Sequence, residues 1–271
     1  MKPKFKIFSG YDIILPEIGK FPGGEIRVKV DNHLSESVLI EALLLNSDDI
    51  MTLVMLTDAL RNLGVKRIRL TMPYIPYARQ DRVCNVGEAF SIQAFAAIIN
   101  SLKFNSVVVY DAHSEVSISL IHNCINVHSY KLITDSPTYG FISACSISGK
   151  PLYLICPDKG AIEKSKAIAK EFPEIKGIVY AEKVRNPKNG EIIRTEVKDA
   201  PDDFVGSNML ICDDICDGGR TFIELAKVLQ QYTPNALSLH VTHGIFSKGL
   251  DVLYDAGFTA VFSVIKFSDY Q

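Results

Sequence analysis

The chain has 271 residues, 47% hydrophobic and 22% charged, the balance of a folded globular protein with room for two α/β domains. A formal net charge of -2 creates no field that would gather nucleic acid or an anionic membrane, so neither is expected as a partner. The longest apolar run, residues 38–45, carries Glu41 and is too short to cross a bilayer, and MKPKFKIFSGYDI has no long apolar core behind its lysines, so a cytoplasmic location is expected.

In chain order, apolar runs rich in Val, Ile and Tyr predict strands at residues 66–72, 106–111, 151–156, 177–180, 209–212 and 236–241. Amphipathic stretches predict helices at 48–63, 88–102, 161–172 and 219–231. Such alternation predicts βαβ units and parallel sheets covered on both faces. Right-handed crossovers then place the strand C-termini, and the loops after them, on one edge of each sheet. Polar clusters do follow strands: YDAHSE after the run at 106, PDKG after 151–156, DDICDGGRT after 209–212. The small polar stretch ISACSISGK at 142–150 reads as the join between two similar halves, domains 1–144 and 145–271. The six cysteines form no CxxC, and four lie in or beside apolar runs, so reduced thiols are expected.

Residues 209–222 read MLICDDICDGGRTF. Glycines let a backbone approach an anion, and the amides opening a helix at Thr221 would point at it with the helix dipole behind them. The Thr221 hydroxyl can add a hydrogen bond, while Asp213 and Asp214 suit ribose hydroxyls or a hard cation rather than phosphate. A phosphate cradle beside carboxylates describes a phosphosugar site. The bland alternative is a strand–turn–helix whose Asp217 caps the helix.

Strand–DD–x–x–D–G–G–x–T resembles the ribose-binding loop of type I phosphoribosyltransferase folds. Further motifs narrow the resemblance to the ribose-phosphate diphosphokinases (phosphoribosyl diphosphate synthetases): FPGGEI at 21–26, DALRNLGVKRI at 58–68, PYIPYARQDR at 73–82, YDAHSE at 110–115, PDKG at 157–160 and THGIFS at 242–247. They span nearly the whole chain in the family's order. The resemblance implies an α/β protein of two type I phosphoribosyltransferase-like domains, each a largely parallel sheet flanked by helices. It implies transfer of the β,γ-diphosphate of ATP to the anomeric hydroxyl of ribose 5-phosphate, with Mg2+ as cofactor. It also implies a homo-oligomer whose active site is shared between subunits.

Residue by residue, the resemblance makes Arg79 and Gln80 nucleotide contacts, His113 a magnesium ligand near the ATP phosphates and Asp158 the ligand of a second metal. Lys183 and Arg185, in AEKVRNPKNG, match the catalytic loop pair, with Pro187 and Gly190 marking a mobile segment. Phe21 and Glu25 match a segment that reaches the adenine of a neighbouring subunit, although Gly23 stands where the family places Asp or Asn. Asp213, Asp214, Asp217, Gly218, Gly219, Arg220 and Thr221 form the ribose-phosphate loop. That loop reads DGGRT where the family has DTAGT: Gly218 replaces a threonine and Arg220 a glycine. Arg220 could point to solvent, or could admit a more anionic acceptor such as ADP-ribose for NAD metabolism. Surface salt bridges around Arg79, a capping role for His113 and a solvated hairpin at 181–190 are the plainer alternatives. A non-catalytic regulatory relative is a third reading.

Overall fold

The computed structural model describes residues 1–31, 33–185, 192–197 and 199–270, with main chain only for 183–185 and 192–195. Two units result, Met1–His128 with Ser268–Gln271, and Ser129–Phe267. They meet at 128/129, where the sequence suggested 144/145. The small polar stretch expected as a linker is the end of a helix, Pro137–Ile147, whose Ile142 and Cys145 are buried.

In the first unit the strands are β1 (Phe5–Ser9), β2 (Asp12–Ile14), β3 (Glu17–Lys20), β4 (Ile26–Lys29) and β5 (Ser37–Ala42), then helix α1 (Ser47–Asn62) and β6 (Arg67–Thr71). Helix α2 (Ser91–Ser101), β7 (Ser106–Tyr110), α3 (Glu115–Leu120) and β8 (Cys124–Val127) follow. One sheet runs β2-β1-β5-β6-β7-β8, parallel from β5 to β8 and antiparallel at β1 and β2; β3 and β4 form a separate hairpin. Burial alternates along β5, β6 and β7, so one face carries the core (Val38, Ile40, Ile68, Leu70, Val107, Val109) against Leu53, Leu56 and Leu60 of α1 and Phe95 and Ile99 of α2. The other face, with Arg67 and Arg69, is only partly covered. This departs from the expected two-sided burial, and the cause is topological. Successive right-handed crossovers step in one direction from β5, and so deliver their helices to one side.

The second unit contains α4 (Ser129–Thr134), α5 (Pro137–Ile147), β9 (Leu152–Cys156), α6 (Ile162–Glu171), β10 (Ile175–Arg185) and β11 (Ile192–Val197). Then come β12 (Asn208–Cys216), α7 (Arg220–Leu229), β13 (Ala236–Gly244), α8 (Asp251–Tyr254) and β14 (Ala260–Lys266). Its sheet order is β11-β10-β9-β12-β13-β14, parallel except for β10 with β11. Here the order reverses between β9 and β12, and helices cover both faces. Leu152, Leu154, Leu210 and Cys212 pack with Ile142 of α5 and Ile168 of α6. Their strand neighbours Tyr153, Ile155, Met209 and Ile211 pack with Phe222, Leu225 and Leu229 of α7. The period-two alternation of a strand buried on both sides thus fills two cores. Among the described residues no helix is long and apolar enough to cross a membrane.

Candidate active site

In the first unit, loops leaving the carboxyl ends of β6 and β7 surround a cavity of about 510 Å³, lined by Arg79, Gln80, Asp81, Arg82, Cys84, Glu88, Ala89, Ser91 and His113. Residues 73–82 form turns anchored by buried Pro73, Ile75, Pro76 and Ala78, with the Gln80 N–H donating to the Tyr77 carbonyl at 2.9 Å. Tyr77 (φ 64) and Asp111 (φ 42) hold left-handed backbone, rare away from glycine, and each lies two residues before a cavity-lining side chain. The rim after Arg82 is tied by Glu88, which accepts from the N–H groups of Cys84 (3.2 Å) and Asn85 (3.0 Å). These bonds, led by the one from the Asn85 side chain, hold the Glu88 carboxyl below its usual range. They also delay the helix expected from residue 88 until Ser91. The structure therefore brings Arg79, Gln80 and His113 together. Phe21 and Glu25 are not among the cavity walls; they sit at the exposed tip of the β3–β4 hairpin, where Phe21 N–H donates to the Glu25 carbonyl at 2.9 Å.

In the second unit the reversal of strand order between β9 and β12 is where open α/β sheets take ligands, at the carboxyl edge. The segment after β9 begins Pro157-Asp158, and Asp158 Oδ1 accepts from the Gly160 N–H at 3.0 Å. Strand β12 is longer than predicted. It continues through Asp213 and Asp214 to Cys216 because β13 keeps pairing with it, Asp213 opposite Val241 and Cys216 opposite Gly244. Its pairing with β9 ends at Ile211, so both carboxylates lie past the end of that ladder. Gly219 (φ 75) then opens α7, with no side-chain cap and no acidic residue in the first turn. Asp217 is not that cap; it accepts from Ser247 Oγ at 2.6 Å. Thr221 lies in the first turn. Arg220 turns outward and pairs with Glu224 at 2.9 Å, its side chain 90% exposed.

Sequence reasoning missed Lys164 on α6. Its ammonium lies 3.5 Å from Asp214 and 3.9 Å from Asp213. Burial, then the charge of Asp214, pushes the Asp213 carboxyl well above the usual range, and Lys164 pulls it back. Asp213 keeps 23% of its side-chain surface in contact with solvent, which limits the rise that burial alone would cause. The only signal for Lys164 was a basic residue one turn into the helix after PDKG. Cys216 is a buried thiol in no disulfide, pushed up to about 12 by burial and the nearby Asp213 and Asp217, and Cys212 is likewise buried and in no disulfide. Both sit in the apolar cores, Cys216 in the cluster of Phe222 and Cys212 in that of Leu210, as small packing residues do.

The main chain of Lys183 and Arg185 lies in β10 beside β11, with a register shift at Val184/Arg185. Their side chains, and residues 186–190 of the expected catalytic loop, lie outside the described residues. Among the described residues no group of three His, Cys, Asp or Glu could cage a metal ion. His113 and Asp158 each offer one ligand. Magnesium keeps several waters and is commonly held by one or two carboxylates plus substrate phosphates, a donor chemistry that Asp158 could supply.

Residues 140–268 match the phosphoribosyl transferase domain family, and residues 8–102 match the N-terminal domain of ribose phosphate pyrophosphokinase. The chain is 30% identical over 245 residues to a ribose-phosphate pyrophosphokinase of Thermococcus kodakarensis, covering 89% of this chain and 81% of that one. It is 32% identical to the one from Pyrococcus abyssi, covering 88% and 79%. The chain belongs to the ribose-phosphate pyrophosphokinase family. Its fold agrees with the crystal structure of phosphoribosylpyrophosphate synthetase from Mycobacterium smegmatis, at a TM-score of 0.76 and 20% identity over 92% of this chain and 79% of that one. The family's two-domain α/β architecture is the one expected from the sequence.

Proposed function

We propose that this member of the family transfers the β,γ-diphosphate of ATP to the anomeric hydroxyl of ribose 5-phosphate, giving phosphoribosyl diphosphate and AMP. The observation that carries the reading is the end of β12. Two adjacent carboxylates suited to ribose hydroxyls run directly into an uncapped glycine entry to α7 suited to a phosphate, at the reversal point of the sheet.

In this reading Arg79, Gln80 and His113 take the nucleotide, the guanidinium gripping triphosphate oxygens. Asp213 and Asp214 accept hydrogen bonds from the ribose hydroxyls, and the amides at 218–221 with the Thr221 hydroxyl hold the 5′-phosphate. The anomeric oxygen attacks the β-phosphorus in line and loses its proton to solvent. The bond from that phosphorus to the α,β-bridging oxygen breaks, and its electron pair leaves on AMP. Lys183 and Arg185 neutralise charge on the moving group. If magnesium were bound with ATP, His113 would hold one ion and Asp158 a second, and these would supply further charge neutralisation. Phe21 and Glu25, exposed at the hairpin tip, reach the adenine of a neighbouring copy in a homo-oligomer.

ADP-ribose as acceptor would draw on Arg220, and the Arg220–Glu224 pair gives it no support. A non-catalytic relative would have no use for the tuned carboxylate pair. The test is AMP release from ATP and magnesium with ribose 5-phosphate or ADP-ribose, the product identified by mass. Preference for ADP-ribose, or no release with either, rejects the reading. Equal turnover by a size-separated monomer rejects the shared site.

A further inference from the structure

The loop after β13 is strapped across the glycine entry to α7. Both Ile245 N–H (2.9 Å) and Phe246 N–H (3.1 Å) donate to the Cys216 carbonyl, and Ser247 Oγ donates to Asp217 Oδ1 at 2.6 Å. The next residue is Lys248, and its stem runs beside Gly218. A β-carbon on Gly218 would lie 3.7 Å from Lys248 Cε, 3.8 Å from Cδ and 3.9 Å from Ser247 Oγ. Gly218 offers the loop no side chain, and Lys248 flanks the bare backbone instead.

Its ammonium, one bond past Cε, is engaged by no ion pair or hydrogen bond among the described residues. The neighbouring carboxylate, Asp217, is held by Ser247. The other cation of the loop, Arg220, is neutralised by Glu224. Of these two cations, Lys248 is therefore the one whose charge remains for an incoming anion. A lysine acts there as a point charge on a long stem, able to follow a phosphate without demanding bidentate geometry.

We propose that Lys248 binds the 5′-phosphate of the sugar acceptor and sets the preference of the site for a 5′-phosphomonoester over the unphosphorylated sugar. The inference deepens the acceptor-site reading above and rests on it.

The experiment compares wild type, Lys248→Gln and Lys248→Arg by AMP release, varying ribose 5-phosphate, then ATP, then unphosphorylated ribose. Lys248→Gln is expected to raise the KM for ribose 5-phosphate about tenfold, the usual scale for a charge-assisted hydrogen bond at an open site. The preference for ribose 5-phosphate over ribose falls by a similar factor, the KM for ATP does not move, and Lys248→Arg restores most of the loss. A KM for ribose 5-phosphate within about twofold of wild type in Lys248→Gln overturns the proposal, as does an equal rise in the KM for ATP. If wild type itself releases no AMP with ribose 5-phosphate, the acceptor-site reading fails, and the inference fails with it.

Discussion

The ammonium of Lys164 stands 3.5 Å from Asp214 Oδ1 and 3.9 Å from Asp213 Oδ1, closing the electrostatics of a carboxylate pair that strand β12 forces into adjacency. Without a cation between them, neighbouring carboxylates with little solvent around them repel, and one takes up a proton. A protonated Asp213 would lose acceptor capacity where the proposed acceptor site needs it for ribose hydroxyls. Lys164→Met is therefore expected to lower kcat/KM for ribose 5-phosphate at pH 7 by about 100-fold, on the scale of one or two lost charged hydrogen bonds. Removing Lys164 raises the Asp213 pKa further, so the acid limb of the pH–rate profile moves up and activity recovers as pH rises. Lys164→Arg keeps the charge and most of the rate. An unmoved acid limb in Lys164→Met would refute this role.

The same carboxylate should cost stability. Asp213 has a folded-state pKa above its unfolded value, through burial first and Asp214 second. Its contribution is then fully present below the unfolded pKa and is lost as pH rises through the folded one. At pH 7–8 the fold carries a carboxylate that would bind a proton more readily than in the unfolded chain. Asp213→Asn should raise the midpoint of thermal unfolding at pH 8 by about 2–4 °C, the shift expected for roughly 1 kcal/mol in a chain of this size, while acceptor turnover collapses. The gain should shrink toward pH 4. A variant less stable than wild type at pH 8 contradicts the argument.

Much of this was legible in the sequence, and the exceptions have physical causes. The runs at 151–156, 209–212 and 236–241 announced strands because buried parallel strands are apolar on both faces, and they match β9, β12 and β13. The amino-terminal strands went unpredicted. In β1 buried Phe5, Ile7 and Ser9 alternate with Lys6 and Phe8, a short pattern that reads as a solvated terminus until β5 is seen pairing with it. Asp213 and Asp214 looked like loop residues because acids are poor strand formers, yet pairing with β13 overrides that preference. The cavity-lining group of Arg79, Gln80 and His113 was legible through its motifs. Lys164 and Lys248 were not, because their meaning depends on crossovers that bring α6 and the loop after β13 to the same strand end.

Cys84 offers a direct probe of the first-unit cavity. It is exposed and lines that cavity, whereas Cys145, Cys156, Cys212 and Cys216 are buried, and burial pushes the Cys145 thiol to about 11 and that of Cys216 to about 12. Thiolate is the reactive form, so a thiol reagent at pH 8 should label Cys84 first in the native protein. Magnesium and ATP should slow that labelling about tenfold or more if the nucleotide occupies this cavity, a protection on the scale of near-saturating occupancy. Ribose 5-phosphate alone should not. Equal labelling rates with and without ATP would place the nucleotide elsewhere.

His240 should set the acid stability of the second unit. It sits on β13, fully buried, with Nδ1 2.7 Å from Thr138 Oγ1 and no partner on Nε2. Burial, followed by the charge of Lys164, lowers its pKa to about 3. A depressed folded-state pKa means that the neutral ring stabilises the fold above the unfolded pKa of about 6.5, and that this contribution is lost as pH falls toward about 3. Over that window the unfolded chain gains a proton the native ring refuses, costing about 1.4 kcal/mol for each pH unit. Urea unfolding should approach that slope between about pH 6 and 4 and flatten above about pH 7. His240→Gln removes the titrating ring, and its stability should vary less with pH even if it is lower at pH 7.5 from lost packing. If the variant keeps the wild-type slope, another group governs acid unfolding, and the neutral Thr138–His240 contact has no part in it.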